Sequence, residues 1–314
     1  MRPTVLVTGR LPSSVIRRLE DVCAVEVYPE GDPMPHAELL ARIPGKDAVL
    51  SLITDRMDAE VIAAGTSLKV IANVAVGYNN VDVAAARARA IVVTNTPDVL
   101  TDATADMAFA LILAVTRRVA EGDRLIRAGG WTRWGMDFML GAGLTGKQLG
   151  ILGWGRIGRA VAARGRAFGM TIAGTARSPI TDGDVRQLSM DELLATSDVV
   201  SVHVPLGPET RHLIGQAQLA RMKRSAYLVN TARGPVVDEA AVVWALRERI
   251  IAGAGLDVFE DEPRVHPELA TLANVVLTPH LGSGTVETRT AMADLAARNA
   301  LAVLAGGAPL TPVA

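Results

Sequence analysis

The chain has a single cysteine, Cys23, among 314 residues. It therefore holds no internal disulfide framework, which fits a reducing compartment. It has no surplus of either charge: 32 basic residues against 33 acidic ones leave a formal net charge of −1. That balance excludes the basic stripe on which nucleic-acid binding depends. Its most apolar stretch, Met107–Val115, falls far short of the ~20 residues that a bilayer-spanning helix needs. The strand-like run Thr4–Val7 follows the first residue so closely that no secretory signal is expected before it. Low-complexity linkers and clear sequence repeats are also missing. These absences predict a cytoplasmic protein with neither a nucleic-acid nor a membrane partner.

What is present is ample core. Hydrophobic residues make up 49% of the chain, and a prior of roughly 150 residues per domain predicts two domains. Short β-branched runs alternate with longer helical patterns throughout, the signature of parallel sheets with helical crossovers. The first set of expected strands is Thr4–Val7, Ala24–Tyr28, Asp47–Ile53, Val70–Asn73 and Ile91–Thr94, with helices such as Ser13–Asp21 and Asp82–Arg89 between them. Thr101 then opens one long helix to about Ala128, capped by Thr101 or Asp102. After a loop rich in glycine and tryptophan the pattern restarts. The second set is Gln148–Leu152, Thr171–Gly174, Val199–Val204, Tyr227–Asn230, Ala252–Asp257 and Val275–Leu277. A last helix runs from Thr285 to about Ala305.

One turn in the second set carries a recognisable chemistry. Gly153-x-Gly155-x-x-Gly158 stands directly after a strand and directly before a helix. In a dinucleotide site the first glycine allows the tight turn, the second lets backbone approach a pyrophosphate, and the third lets helix and strand pack closely. The helix that begins near Arg156 offers its unpaired N–H groups and positive dipole end to the phosphates. About 20 residues further on, an NAD site usually presents an acidic residue to the ribose. Here the segment is Gly174-Thr-Ala-Arg-Ser-Pro179, without a carboxylate. Arg177 and Ser178 suit a 2′-phosphate instead. The cofactor expected is therefore NADP(H), with NAD(H) as the second choice.

Three polar residues follow strands of the same set: Arg233 after Tyr227–Asn230, Glu262 after the strand ending at Asp257, and His280 after Val275–Leu277. Ligands of open α/β sheets bind beyond such carboxyl ends. Reducing a 2-oxo acid requires a cation for the carboxylate, an acid for the carbonyl oxygen and a carboxylate to orient that acid. Arg233, His280 and Glu262 match these roles. His36, His203, His212 and His266 are the competing histidines; of these His203 also lies near a strand end, among alternating apolar residues that suit packing or cofactor lining.

Together these segments resemble the D-isomer-specific 2-hydroxyacid dehydrogenase family over essentially the whole chain, and its glyoxylate/hydroxypyruvate reductase branch in particular. The resemblance is carried by Val76–Asp82, Asn95–Asp106, Gly153–Gly158, Asn230–Gly234, Gly255–Pro263 and Thr278–Ser283, with the Gly129–Trp134 loop. It implies an α/β fold of two Rossmann-like or flavodoxin-like parallel-sheet lobes with an active-site cleft between them. Residues 1–98, completed by 284–314, would bind substrate, and residues 99–283 would form the NAD(P)-binding Rossmann domain. It assigns Arg233, Glu262 and His280 to catalysis, and Leu52, Val76, Gly77 and Arg233 to the substrate. Beside the glycine turn and Arg177-Ser178, it places Thr104, Arg156, Ile157, Val204, Pro205, Thr210, Thr231, Ala232, Asp257, His280 and Gly282 at the cofactor. Asp257 would stand near the nicotinamide carboxamide. No metal is implied. A homodimer is, built through the cofactor lobes and the Thr101 helix, with Trp134 reaching toward the partner's site.

The implied reaction is NADPH-dependent reduction of glyoxylate or hydroxypyruvate to glycolate or D-glycerate. Another 2-oxo acid is the first alternative, such as phenylpyruvate, pyruvate or a phosphoglycerate-type substrate. A dinucleotide-sensing interaction module of the corepressor kind is the alternative from another class; the short ends expected of this chain disfavour it. Trp154 departs from the family's pattern, which usually has a smaller aliphatic residue at that position.

Overall fold

The computed structural model describes residues 2–29 and 33–313. In chain order the elements are β1 (Thr4–Val7), α1 (Ser13–Glu20), β2 (Ala24–Val27), α2 (His36–Arg42), β3 (Ala48–Ser51), α3 (Ala59–Ala64), β4 (Val70–Asn73), α4 (Val83–Ala88) and β5 (Val92–Thr94). Then come α5 (Thr101–Thr116), α6 (Val119–Arg127), β6 (Gln148–Leu152), α7 (Arg156–Ala167), β7 (Thr171–Thr175), β8 (Arg186–Gln187), α8 (Met190–Thr196) and β9 (Val199–Val202). The chain ends with α9 (Gln216–Leu219), β10 (Tyr227–Asn230), α10 (Glu239–Arg247), β11 (Gly253–Leu256), β12 (Val275–Leu277) and α11 (Val286–Leu304).

The chain divides into two units, the first made of the residues before Thr101 and after Gly284 and the second spanning Thr101–Gly284. The first unit's sheet has the order β2-β1-β3-β4-β5, parallel throughout. This is the flavodoxin-like doubly wound order. Adjacent residues of its strands serve opposite faces: Leu6, Val49 and Ile71 enter one core, whereas Val5, Val7, Leu50 and Ala72 enter the other. The second core is closed by α11, whose buried Ala293, Ala296, Ala297 and Ala300 let the helix lie close to the sheet.

The second unit's sheet runs β12-β11-β10-β9-β6-β7-β8, also parallel. Counted within the unit, this is the Rossmann order 3-2-1-4-5-6 with a seventh strand added at one edge. Strands such as Val199–Val202 are buried at every residue, as sheets covered on both faces require. Helix α5 packs on this sheet so closely that a Cβ on Gly255 would stand 2.9 Å from Leu111 Cβ.

Two features of the sequence reading are corrected. The expected helix from Thr101 to Ala128 is two helices, broken at Arg118, which adopts a left-handed φ of 55°. The physical reason lies in the following loop. The Thr116 carbonyl accepts the Ala142 N–H at 2.8 Å, so the last turn of α5 is closed by a distant residue rather than by the helix itself. Thr101 and Asp102 are moreover both already helical, so neither acts as the cap. The second correction is β8, a two-residue edge strand that no periodicity could reveal. Several other strands end one or two residues sooner than their apolar runs.

Candidate active site

In a parallel sheet all carboxyl ends lie on one edge, so the connectivity of β6, β9, β10, β11 and β12 gathers the segments that follow them. The glycine turn follows β6, at the switch point where the strand order reverses between β6 and β9. Gly153 has φ of 105°, and a Cβ there would stand 2.7 Å from the His203 carbonyl oxygen beyond β9. A Cβ on Gly158 would stand 2.3 Å from the Gly153 oxygen. Gly155, by contrast, faces open space, and as N-cap of α7 it supplies no side-chain acceptor to the first turn. The N-terminus of this 12-residue helix thus has no side-chain cap, and its positive dipole end suits a pyrophosphate.

Further residues of the same edge fit a dinucleotide. Thr231 Oγ1 is buried and has no hydrogen-bond partner among the described residues, an unusual state that a ligand can relieve. Asp257 is fully buried and accepts from Thr278 Oγ1 at 2.6 Å, Leu281 N at 2.7 Å and Gly282 N at 2.7 Å. It thereby shapes the turn that carries His280 as well as the position of Gly282, whose Cα faces Thr104 on α5. Val204 lies against Gly153. The Thr210 hydroxyl donates to the Pro205 carbonyl at 2.7 Å and accepts the Gly207 N–H at 2.8 Å; it ties its own loop together. Ile157 packs into the core on one side of the sheet, and Arg156 is exposed at the start of α7. Arg177 and Ser178 are exposed just past β7.

The three candidate catalytic groups follow the adjacent strands β10, β11 and β12. His280 Nδ1 is 2.7 Å from Glu262 Oε2, and Glu262 Oε1 accepts the Phe259 N–H at 3.0 Å. Burial pushes the Glu262 carboxyl up. The His280 hydrogen bond and charge, the Phe259 N–H and the Arg233 charge outweigh that effect and hold it below the usual carboxylate range. Burial in turn pulls the Arg233 guanidinium down from its ordinary value, with Glu262 opposing the shift. One carboxylate therefore senses both the imidazole and the guanidinium. His280 itself has a left-handed φ of 53°, a conformation uncommon for a residue with a side chain and a marker of local strain at functional sites.

Several supports of this arrangement were not legible in the sequence. Asn230 clasps the turn before Arg233: its Oδ1 accepts the Ala232 N–H at 3.0 Å and its Nδ2 donates to the Arg233 carbonyl at 3.0 Å. Arg233 Nη1 donates to the Ala232 carbonyl at 2.6 Å. Gly234 lies so close to the Phe259–Glu260 backbone that a Cβ could not fit. Glu239 and Glu260 each accept the other's backbone N–H, and Glu260 also holds His212 at 2.9 Å. Asn230 stood in the motif only as a strand end, and Glu239 and Glu260 were not singled out; only contacts reveal their roles.

The competing histidines go elsewhere. His203 bonds to Ser201 Oγ at 2.8 Å, and desolvation pushes its imidazole down to about 3. A neutral ring of that kind is no acid for a carbonyl oxygen. His36 pairs with Asp58, which also caps α3 and meets Arg56. In the other unit, Leu52 N–H donates to Asp55 Oδ2 at 2.6 Å. The carbonyls of Val76 and Gly77 accept from Asn95 and Asn73, each at 2.8 Å.

Residues 109–282 match the family described as D-isomer specific 2-hydroxyacid dehydrogenase, NAD binding domain. The chain belongs to the D-isomer-specific 2-hydroxyacid dehydrogenases. Within that family it falls in the glyoxylate reductase branch. It is 46% identical to a glyoxylate reductase of Thermococcus litoralis, covering 98% of this chain and 96% of that one. It is 48% identical to a glyoxylate reductase of Thermofilum pendens over 98% and 93%. Among solved structures, a protein of Thermus thermophilus superposes with a TM-score of 0.94 at 49% identity, covering 99% and 100%. An NADPH-dependent glyoxylate/hydroxypyruvate reductase of Sinorhizobium meliloti, solved with NADP and malonate, superposes with a TM-score of 0.91 at 37% identity, covering 100% and 97%. As a 2-hydroxyacid dehydrogenase the chain is an oxidoreductase with a nicotinamide dinucleotide cofactor. Among the described residues no helix is long and apolar enough to cross a membrane.

Proposed function

We propose that this dehydrogenase reduces glyoxylate or hydroxypyruvate to the 2-hydroxy acid, with NADPH preferred over NADH. The observation that carries the reaction is the His280–Glu262 pair at 2.7 Å with Arg233 as its electrostatic neighbour. The nicotinamide, when bound, supplies hydride to the carbonyl carbon. His280 Nδ1 donates to the Glu262 carboxylate, which orients the ring and leaves Nε2 as the atom that gives its proton to the carbonyl oxygen. Arg233 holds the substrate carboxylate and offsets the negative charge that develops on that oxygen. As the alkoxide is protonated, His280 becomes neutral and must regain a proton before the next turnover.

The dinucleotide is assigned to the glycine turn Gly153–Gly158 with Arg156 and Ile157, to Val204, Pro205 and Thr210, to Thr231 and Ala232, and to Thr104, Asp257, His280 and Gly282. Arg177 and Ser178, without a carboxylate at the end of β7, favour the 2′-phosphate of NADPH. Leu52 with the N–H groups of Val76 and Gly77 is assigned to the substrate. On these assignments Thr101–Gly284 is the cofactor domain and the other unit the substrate domain. Malonate in the Sinorhizobium relative, a small dicarboxylate, is consistent with a small-acid pocket in that enzyme.

A homodimer is part of the proposal. Trp131, Trp134, Met136, Phe138 and Leu140 form an exposed apolar stretch after α6, the kind of surface that association covers. Sedimentation of the intact chain reads this directly. Localisation in the cytoplasm is proposed from the lone, buried Cys23. The function is tested by initial rates over a panel of glyoxylate, hydroxypyruvate, pyruvate and phenylpyruvate with each dinucleotide. The expected outcome is the highest kcat/KM with the two small acids and NADPH; a better rate with phenylpyruvate or with NADH refutes the corresponding part.

A further inference from the structure

Trp154 stands between two glycines of the pyrophosphate turn, yet the residue is only 9% exposed. Its indole folds back over β7. A Cβ on Gly174 would stand 2.8 Å from Trp154 Cε3 and 3.0 Å from Ile180 Cδ1, so the ring occupies the room left by the missing side chain. Its Nε1–H donates to Asp182 Oδ2 at 2.7 Å, and the same oxygen lies 3.8 Å from Arg159 Nε on α7. A second support comes from β8, which pairs Gln187 with Gly174. Gln187 Oε1 accepts the Ile180 N–H at 2.8 Å, and its Nε2 donates to the carbonyls of Ala176 at 3.3 Å and Ser178 at 3.2 Å. The backbone that carries Arg177 and Ser178 is thus held at its start, middle and end, while both side chains stay exposed.

We propose that Trp154, Gly174, Asp182 and Gln187 form a brace that holds the Arg177–Ser178 turn ready for a 2′-phosphate and so sets the discrimination between the two dinucleotides. This rests on the NADPH reading above. A loop left free would have to be ordered on binding, and that cost would be charged against every contact with the phosphate. Held in place by the indole and the Gln187 amide, the turn meets the ligand with its donors arranged. The brace also occupies Asp182, the first carboxylate after β7, with an indole N–H and a nearby guanidinium. Trp154 and Gln187 are positioning residues here; neither is required to touch the dinucleotide.

The test uses the full chain and two nucleotides that differ only in the 2′-phosphate, adenosine 2′,5′-bisphosphate and adenosine 5′-monophosphate, with binding read by calorimetry. Neither probe carries nicotinamide, so no turnover enters the readout. In Gln187→Ala and in Trp154→Phe, which keeps a ring but removes the N–H, the bisphosphate is expected to bind about tenfold more weakly, the loss typical of one charge-assisted hydrogen bond. The monophosphate should stay within about twofold. Wild-type protein that binds both nucleotides equally overturns the NADPH reading itself, and the brace with it. A wild-type preference that survives in both variants overturns the brace alone. Equal weakening of both nucleotides also overturns it, since Trp154 would then merely support the pyrophosphate turn. Gln187 is on an exposed edge strand, so its variant keeps the test decisive if the tryptophan variant does not fold.

Discussion

Replacing Glu262 by glutamine separates charge from shape at the proposed acid. The amide matches the carboxylate in size, and its oxygen can still accept the Phe259 N–H that now lies 3.0 Å from Oε1. What changes is the contact with His280 Nδ1 at 2.7 Å. A glutamine NH₂ turned toward that nitrogen requires it to accept, which favours a neutral ring. A hydrogen bond to a charged group contributes ~1.5–3 kcal/mol against ~0.5–1.5 for a neutral pair, a difference of ~1–2 kcal/mol. The side chains of His280 and Glu262 are 30% and 34% exposed, so solvent screening keeps the pair's own loss toward the lower part of that range. Arg233 also loses the carboxylate that opposes its burial, which adds to the effect. The expected result is a fall in kcat of about 10- to 100-fold. The assay is single-turnover reduction of glyoxylate at saturating NADPH, repeated with NADPH deuterated at the transferred position. A larger isotope effect in the variant would show that the chemical step has become slower relative to binding and release. NADPH affinity, measured separately, should stay within about twofold. A turnover rate close to wild type, or a loss of NADPH affinity as large as the loss of rate, would refute the reasoning.

Two further outcomes are expected. Arg233→Ala should lower kcat/KM at least ~100-fold with the fold intact by circular dichroism; near-normal turnover would remove Arg233 from the site. The Glu262 carboxyl is held below its ordinary range by His280, Phe259 N–H and Arg233, so its stabilising contribution is full above the unfolded value of about 4.3 and is lost as pH falls through the lower folded one. The difference in thermal midpoint between wild type and Glu262→Gln should therefore be present at neutral pH and shrink in strong acid; a gap unchanged there would refute the assignment.

The two parallel sheets were readable because strands buried on both faces leave unbroken β-branched runs, as in Val199–Val202, and two of the expected helices open at residues, Asp82 and Thr285, whose side chains cap them. The break at Arg118 was not readable, since the amide that closes α5 belongs to Ala142, far along the chain. The residues that support the site were hidden for the same reason.

By itself, the sequence determined the glycine turn, the absence of a carboxylate after β7 and the position of one arginine, one glutamate and one histidine after strands. Those are local facts, set by φ freedom and by the place of a residue in its own strand or turn. Only the tertiary structure decided that Glu262 pairs with His280 while feeling the charge of Arg233, that His203 is a half-buried ring bonded to Ser201, and that Trp154 lies on Gly174. Each of these depends on strand order, because parallel pairing is what brings residues distant in sequence to one edge of a sheet.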